Sequence, residues 1–161
     1  MLALVTAHPP HQCTLVPDAP DQLTSNQGWD TIKHHHFLKD VTQQLESQGI
    51  RVSIFIDAEE RFVEGAKEVG APRIEFYTGD YANIFKTDPA KAVEPHSRCA
   101  DIANQIGIGI NAGHDLNLDN LQYYKNHVAW LLEVSIGHAL IADALYYGLK
   151  NTIQMYLNKL S

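Results

Sequence analysis

The sequence predicts an α/β protein built on a parallel sheet with helices packed against it. Three observations carry this. Short β-rich runs alternate along the chain with stretches whose apolar residues recur at spacings of three and four. The runs are mostly apolar, as in IRVSIFI from Ile50, which is the pattern of a strand covered on both faces. Polar residues collect just past the ends of the runs, where parallel α/β folds bind their ligands.

The elements follow in order. Residues 1–7 fit either a strand or the end of a helix. QCTLV over 12–16 reads as a strand that stops at Pro17. A loop with one proline and a glycine spans 18–28, directly after Pro17, and a helix spans 31–48, with Leu38, Val41 and Leu45 on one face and Gly49 after its end. A strand over 50–56 leads to a helix over 58–69 with Gly70 as its C-terminal signal. RIEFY over 73–77 is a strand followed by a Thr78–Gly79 turn. Residues 81–86 read as a loop or a short turn of helix, and 89–106 as a helix interrupted near Pro95. A strand over 108–111, a helix over 118–127, a strand over 132–135 and helices over 138–149 and 151–160 complete the chain. Five strands fit two architectures: an open doubly wound sheet of flavodoxin type, which the length favours, or part of an eight-stranded barrel.

Composition narrows the function classes. The 161 residues are 45% hydrophobic and 19% charged, as in an ordinary single globular domain. The net charge of −7 disfavours non-specific nucleic-acid binding. The most apolar stretch, 128–149, is broken by Glu133, His138 and Asp143, so no membrane span is expected. No basic segment followed by an apolar run opens the sequence, and Cys13 and Cys99 form neither a disulfide framework nor a metal clamp. A cytoplasmic location is the expectation.

Four polar elements should share one rim: Asp57, Thr78–Gly79, Asn111 to Asp115, and Gly137–His138. His114 is the sharpest catalytic candidate, because histidine can donate or accept a proton near neutrality and Gly113 lets the backbone approach a ligand. The alternative is a loop histidine bonded to the backbone. Gly137–His138 lies between a strand end and a helix, where backbone N–H groups can hold an anion; a simple helix start is the competing reading. Glu75, inside an apolar strand, must be paired or face a wet cavity. Asp57, Glu59 and Glu60 suit a helix start. His34, His35 and His36 are consecutive and would fan around a helix, so no metal site is expected. Trp29 and Trp130 read as packing residues.

At these residues a resemblance becomes specific. CTLVPD from Cys13, LTSNQGWD from Leu23, VSIFIDAE from Val52, EVGAPRIEFYTGDYA from Glu68, INAGHDLNLDNL from Ile110 and EVSIGHALIADALYYGL from Glu133 occur in family order. Together they resemble the pyridoxine 5′-phosphate synthases of vitamin B6 biosynthesis. The resemblance implies a (β/α)8 TIM barrel with extra helices, assembled as a homo-oligomer, an octamer in the family. It implies condensation of two small phosphorylated substrates, 1-deoxy-D-xylulose 5-phosphate and 3-amino-2-oxopropyl phosphate, to pyridoxine 5′-phosphate, phosphate and water. No metal or organic cofactor is implied. His114 maps to a catalytic proton donor, Gly137 and His138 to phosphate binding, and Thr24 and Asp115 to substrate contacts.

The chain departs from the family pattern in three places. Tyr77 stands where many members have histidine. Asp115 stands where glycine is common, and its charge must point away from the phosphates or pair with a cation. The family's early Asn-x-Asp-His motif, its histidine–leucine–arginine–glutamate motif and its Asn-Leu-Glu motif are absent, and with them two proton acceptors. The five strands resemble the fourth to eighth of the barrel, and residues 1–5 the tail of its third helix. An incomplete barrel would expose two strand edges and an apolar interior, so the chain should be a fragment of a longer product or pair with another copy. The alternative function is a non-catalytic phosphosugar-binding or assembly module.

Overall fold

The computed structural model describes residues 2–18 and 22–161; Met1 and residues 19–21 of the predicted 18–28 loop lie outside the described residues. The elements run α1 (Leu2–Ala7), β1 (Gln12–Leu15), α2 (His35–Glu46), β2 (Arg51–Ile56), α3 (Glu60–Glu68), β3 (Arg73–Tyr77), α4 (Gly79–Phe85), α5 (Pro89–Gln105), β4 (Gly109–Gly113), α6 (Leu121–His127), β5 (Leu131–Ser135), α7 (His138–Tyr147) and α8 (Leu149–Leu160). The first segment is therefore a helix.

The five strands form one parallel sheet in the order β1-β2-β3-β4-β5. A doubly wound sheet reverses its strand order partway; this one never does. Parallel neighbours joined in chain order by right-handed crossovers place their helices on one face. The sheet also curls. Gln12 on β1 donates to Glu133 on β5 at 3.3 Å, although these are the two edge strands. In a flat sheet four strand spacings would hold them about 19 Å apart. Sequential parallel order and this curl make the sheet an incomplete TIM-type barrel.

The two sheet faces differ in chemistry. Val52, Ile54, Ile56, Ile74, Phe76, Ile110 and Ala112 face the helices and are buried. Leu38, Val41 and Leu45 of α2 and Phe62, Val63 and Ala66 of α3 belong to the same core. Each large side chain fully buried there contributes about 1.5–3 kcal/mol. The alternate strand positions point inward, and apart from Phe55 on β2 they are mostly polar rather than apolar as expected. At the amino-terminal end of the strands Arg51 donates to Gln12 at 2.8 Å and to Glu133 at 2.7 Å, while Arg73 donates to Asn111 at 3.0 Å. A polar interior is tolerable because each of these groups has a partner.

Two local expectations are corrected and one alternative is resolved. α5 is one continuous helix with Pro95 inside it. Its buried face, from Ala92 and Val93 through His96 to Ala103, continues across the proline, and packing on both sides outweighs the lost hydrogen bond. Of the two readings of the stretch after β3, the helical one holds: it is α4, anchored by buried Tyr81, whose hydroxyl donates to the Asn120 carbonyl at 2.7 Å. Trp29 is partly buried and packs against the core, whereas Trp130 is half exposed with φ of 58° and is not a packing residue. Among the described residues no helix is long and apolar enough to cross a membrane.

Candidate functional site

The carboxyl ends of the strands surround a cavity of about 820 Å³. Thr24, His114, Asp115, Gly137 and His138 line it together, as does Lys86 at the end of α4. These residues come from three separate stretches of chain after β1, β4 and β5, plus the helix after β3. Parallel topology brings them together, because every strand ends at the same rim.

Thr24 reaches the cavity because its loop folds tightly over β2. Gly28 lies against the Ile56–Asp57 backbone, and a Cβ there would overlap it. The Gly28 N–H donates to Asp57 Oδ1 at 3.3 Å, and Trp29 N–H donates to the Phe55 carbonyl at 2.8 Å. Asp57 thus anchors this loop and is not part of the cavity wall. Burial pushes its carboxyl upward from the ordinary value, with Glu59 and Asp80 adding to the effect and the Gly28 N–H opposing it. Glu60 occupies the first turn of α3, as expected of an acid at a helix start.

His114 is held on several sides. Thr24 Oγ1 lies 3.0 Å from its Nε2, Asp115 Oδ2 lies 2.9 Å from its Nδ1, and the Tyr77 ring meets it edge-on at 5.1 Å. Asp115 therefore pairs within the protein rather than pointing into the cavity unpartnered. Tyr77, where histidine is common in the resembled family, packs between His114 and Phe55. Burial raises its hydroxyl pKa, and Asp115, Asp80 and Asp57 raise it further.

Glu75 sits below the rim in the barrel interior, 7% exposed. Thr14 on β1 donates to its Oε2 at 3.0 Å, and the Ser135 hydroxyl on β5 also bonds it. Burial raises its pKa, while the two hydroxyls pull it down. A Cβ on Gly113 would overlap Glu75 Oε1. That glycine therefore makes room for a buried carboxyl beneath the His114 loop, not for a ligand.

At the far side of the cavity α7 begins at Gly137. No side chain caps it and its first turn holds no acid. Uncapped N–H groups and the positive end of the helix dipole favour an anion. A Cβ on Gly137 would meet nothing within 4 Å, so the space above it is open. Lys86 adds a cation to the wall. Sequence reading missed it, since a lysine nine residues past a strand end carries no signal until α4 folds back over the rim. The three consecutive histidines do not converge: His34 meets Trp29, while the His35 and His36 rings lie edge-to-face at 5.6 Å. Among the described residues no group of three or more His, Cys, Asp or Glu could hold a metal ion.

Comparison with known proteins places this geometry. The chain is 52% identical over 157 residues to the pyridoxine 5′-phosphate synthase of Christiangramia forsetii, covering 98% of this chain and 66% of that protein. It is 52% identical over 159 residues to the synthase of Cytophaga hutchinsonii, covering 99% and 67%. It thus spans about two thirds of the length of these relatives. Among solved structures, the Amycolatopsis orientalis BexX/CysO complex shares the fold with a TM-score of 0.58 at 14% identity, over 98% of this chain and 59% of that one. The sequence profile described as "Pyridoxal phosphate biosynthesis protein PdxJ" matches residues 1–161, and the chain belongs to that family.

Proposed function

We propose that the chain forms the larger part of a pyridoxine 5′-phosphate synthase. That enzyme would condense 1-deoxy-D-xylulose 5-phosphate with 3-amino-2-oxopropyl phosphate, giving pyridoxine 5′-phosphate, phosphate and water by acid–base catalysis. One observation carries this reading: His114, a proton donor by type, and the uncapped start of α7, an anion site by geometry, face the same cavity. A phosphate on the Gly137 and His138 N–H groups would hold a substrate with its reacting carbons toward His114. Thr24 and Lys86 would complete the grip. Glu75, whose pKa burial raises, would act from below the rim through its hydrogen-bonded position. No metal or organic cofactor enters the scheme.

The remaining third of a relative-length protein would supply the strands between β5 and β1, and with them the first three βα units and two proton acceptors. Assembly into a homo-oligomer, an octamer as in the resembled family, fits the exposed apolar side chains of α7 and α8, such as Ile141, Leu145 and Leu157. A cytoplasmic location belongs to the same reading.

His114→Ala in the native gene product tests it. Turnover should fall by about 10²–10⁴-fold while phosphosubstrate binding persists. Unchanged turnover would remove His114 from the chemistry. The second reading, a non-catalytic phosphosugar-binding module, is favoured by the sheet standing open between β1 and β5. Binding of both phosphorylated substrates without turnover by the native gene product would establish it.

A further inference from the structure

The backbone around His114 is held in a conformation that needs support. His114 and Asp115 have φ of 86° and 56°, the left-handed region that non-glycine residues seldom adopt. The neighbouring carbonyls are all held. The Thr78 N–H and hydroxyl donate to the Gly113 carbonyl at 3.0 and 2.8 Å, and the same hydroxyl contacts the His114 carbonyl. The side-chain amides of Asn120 and Asn117 donate to the Asp115 carbonyl at 3.1 and 3.4 Å. Strain maintained by this many contacts is characteristic of functional loops.

The consequence is where the Asp115 carboxylate goes. It folds back onto its neighbour, with Oδ2 2.9 Å from His114 Nδ1. An ionised carboxylate has no proton to give, so the ring nitrogen must be the donor. The other ring nitrogen, Nε2, faces the Thr24 hydroxyl at 3.0 Å. A hydroxyl can donate or accept, so Thr24 suits either protonation state of Nε2. Asp115 suits only one state of Nδ1.

We propose that Asp115 is a positioning residue that keeps His114 Nδ1 protonated throughout, so that the proton exchanged with a ligand always sits on Nε2, on the Thr24 side of the cavity. The catalytic part of this rests on His114 being the proton donor proposed above; the tautomer does not. The pairing also resolves the charge conflict, since a carboxylate turned onto an N–H presents less of its charge to a phosphorylated ligand.

The tautomer can be read directly. Long-range ¹H–¹⁵N spectra of the ¹⁵N-labelled chain, recorded well above the ordinary imidazole range, give the protonated nitrogen of each ring, with His114→Gln identifying the signal. The wild type should show Nδ1–H. Asp115→Gly, which suits the positive φ, should revert to Nε2–H, the form that isolated imidazole side chains favour. Asp115→Asn keeps a carbonyl acceptor and should retain Nδ1–H. An Nε2–H ring in the wild type, or Nδ1–H persisting in the glycine variant, would overturn the proposal.

Turnover of the native gene product gives the second readout. Asp115→Gly leaves His114 in place and should lower kcat by about tenfold, less than loss of the acid–base group itself, with little change in KM, and Asp115→Asn should recover part of it. A raised KM with unchanged kcat would make Asp115 a ligand contact instead and overturn the proposal. A wild type that shows the Nδ1–H ring, lost in the glycine variant, but no turnover would refute the synthase reading and leave the positioning role intact.

Discussion

Acid should unfold this protein partly through one buried histidine. His96 on α5 is 4% exposed and enclosed by the rings of Phe76, Tyr81 and Tyr124, with the Tyr124 hydroxyl 3.0 Å from its Nδ1. Burial pushes its pKa down to about 4 from an ordinary 6.5. Between these values the unfolded chain binds a proton that the folded chain refuses, so stability rises with pH across the window. It is fully present above pH 6.5 and lost as the pH falls toward 4. At 1.36 kcal/mol per pH unit the full loss is about 3 kcal/mol, a large part of the stability of a single domain. His96→Gln keeps a polar partner for Tyr124 and cannot titrate. Urea unfolding of both proteins between pH 4 and 7 isolates the effect, because every carboxylate titrates alike in the two. The variant should be the less stable at pH 7 and lose about 3 kcal/mol less on acidification. Parallel stability–pH curves would refute the reasoning.

Other perturbations follow from the same structure. Glu75→Gln should leave stability at pH 7 equal or raised: burial raises the Glu75 pKa, so folding weakens as the pH climbs through its window. The gap between the two proteins should close on acidification, as urea midpoints at pH 5 and 7 would show, and a large loss at pH 7 would count against a raised Glu75 pKa. Gly137→Ala should shift stability by no more than about 1 kcal/mol, since a Cβ there meets no neighbour, yet weaken inorganic phosphate binding measured by calorimetry. Unaltered affinity would place the anion elsewhere. Gly28→Ala has no space for its methyl against the β2 end and should cost about 1–3 kcal/mol on thermal unfolding, with displacement of the Thr24 loop visible in its amide shifts.

The sequence by itself determined the elements and the rim. Apolar runs with Gly or Pro stops place β2 and β3 within a residue of where they form, and helix periodicity finds α2 and α3. Both signals are local, set by side-chain size and backbone freedom over a few residues. The polar residues after the strands are legible for the same reason, and collinear motifs carry His114, Gly137, His138 and Thr24 to one end of the fold. Tertiary structure decided the rest. Local alternation left a curled barrel sheet and a doubly wound one both open; the motif resemblance implied the barrel, and the strand order bears it out. Pro95 was absorbed into α5 by packing on either side of it, an effect that no local rule contains. Sequence put Asp57 at the rim or a helix start and left Glu75 either paired or facing a wet cavity; folding makes the first a loop anchor and pairs the second with Thr14 and Ser135 from opposite edges of the sheet. The inward face proved polar because its charges find partners across the barrel, at sequence separations as large as that of Gln12 and Glu133. Lys86 joined the cavity wall, and Asp115 turned onto His114, through contacts that exist only once the chain has folded.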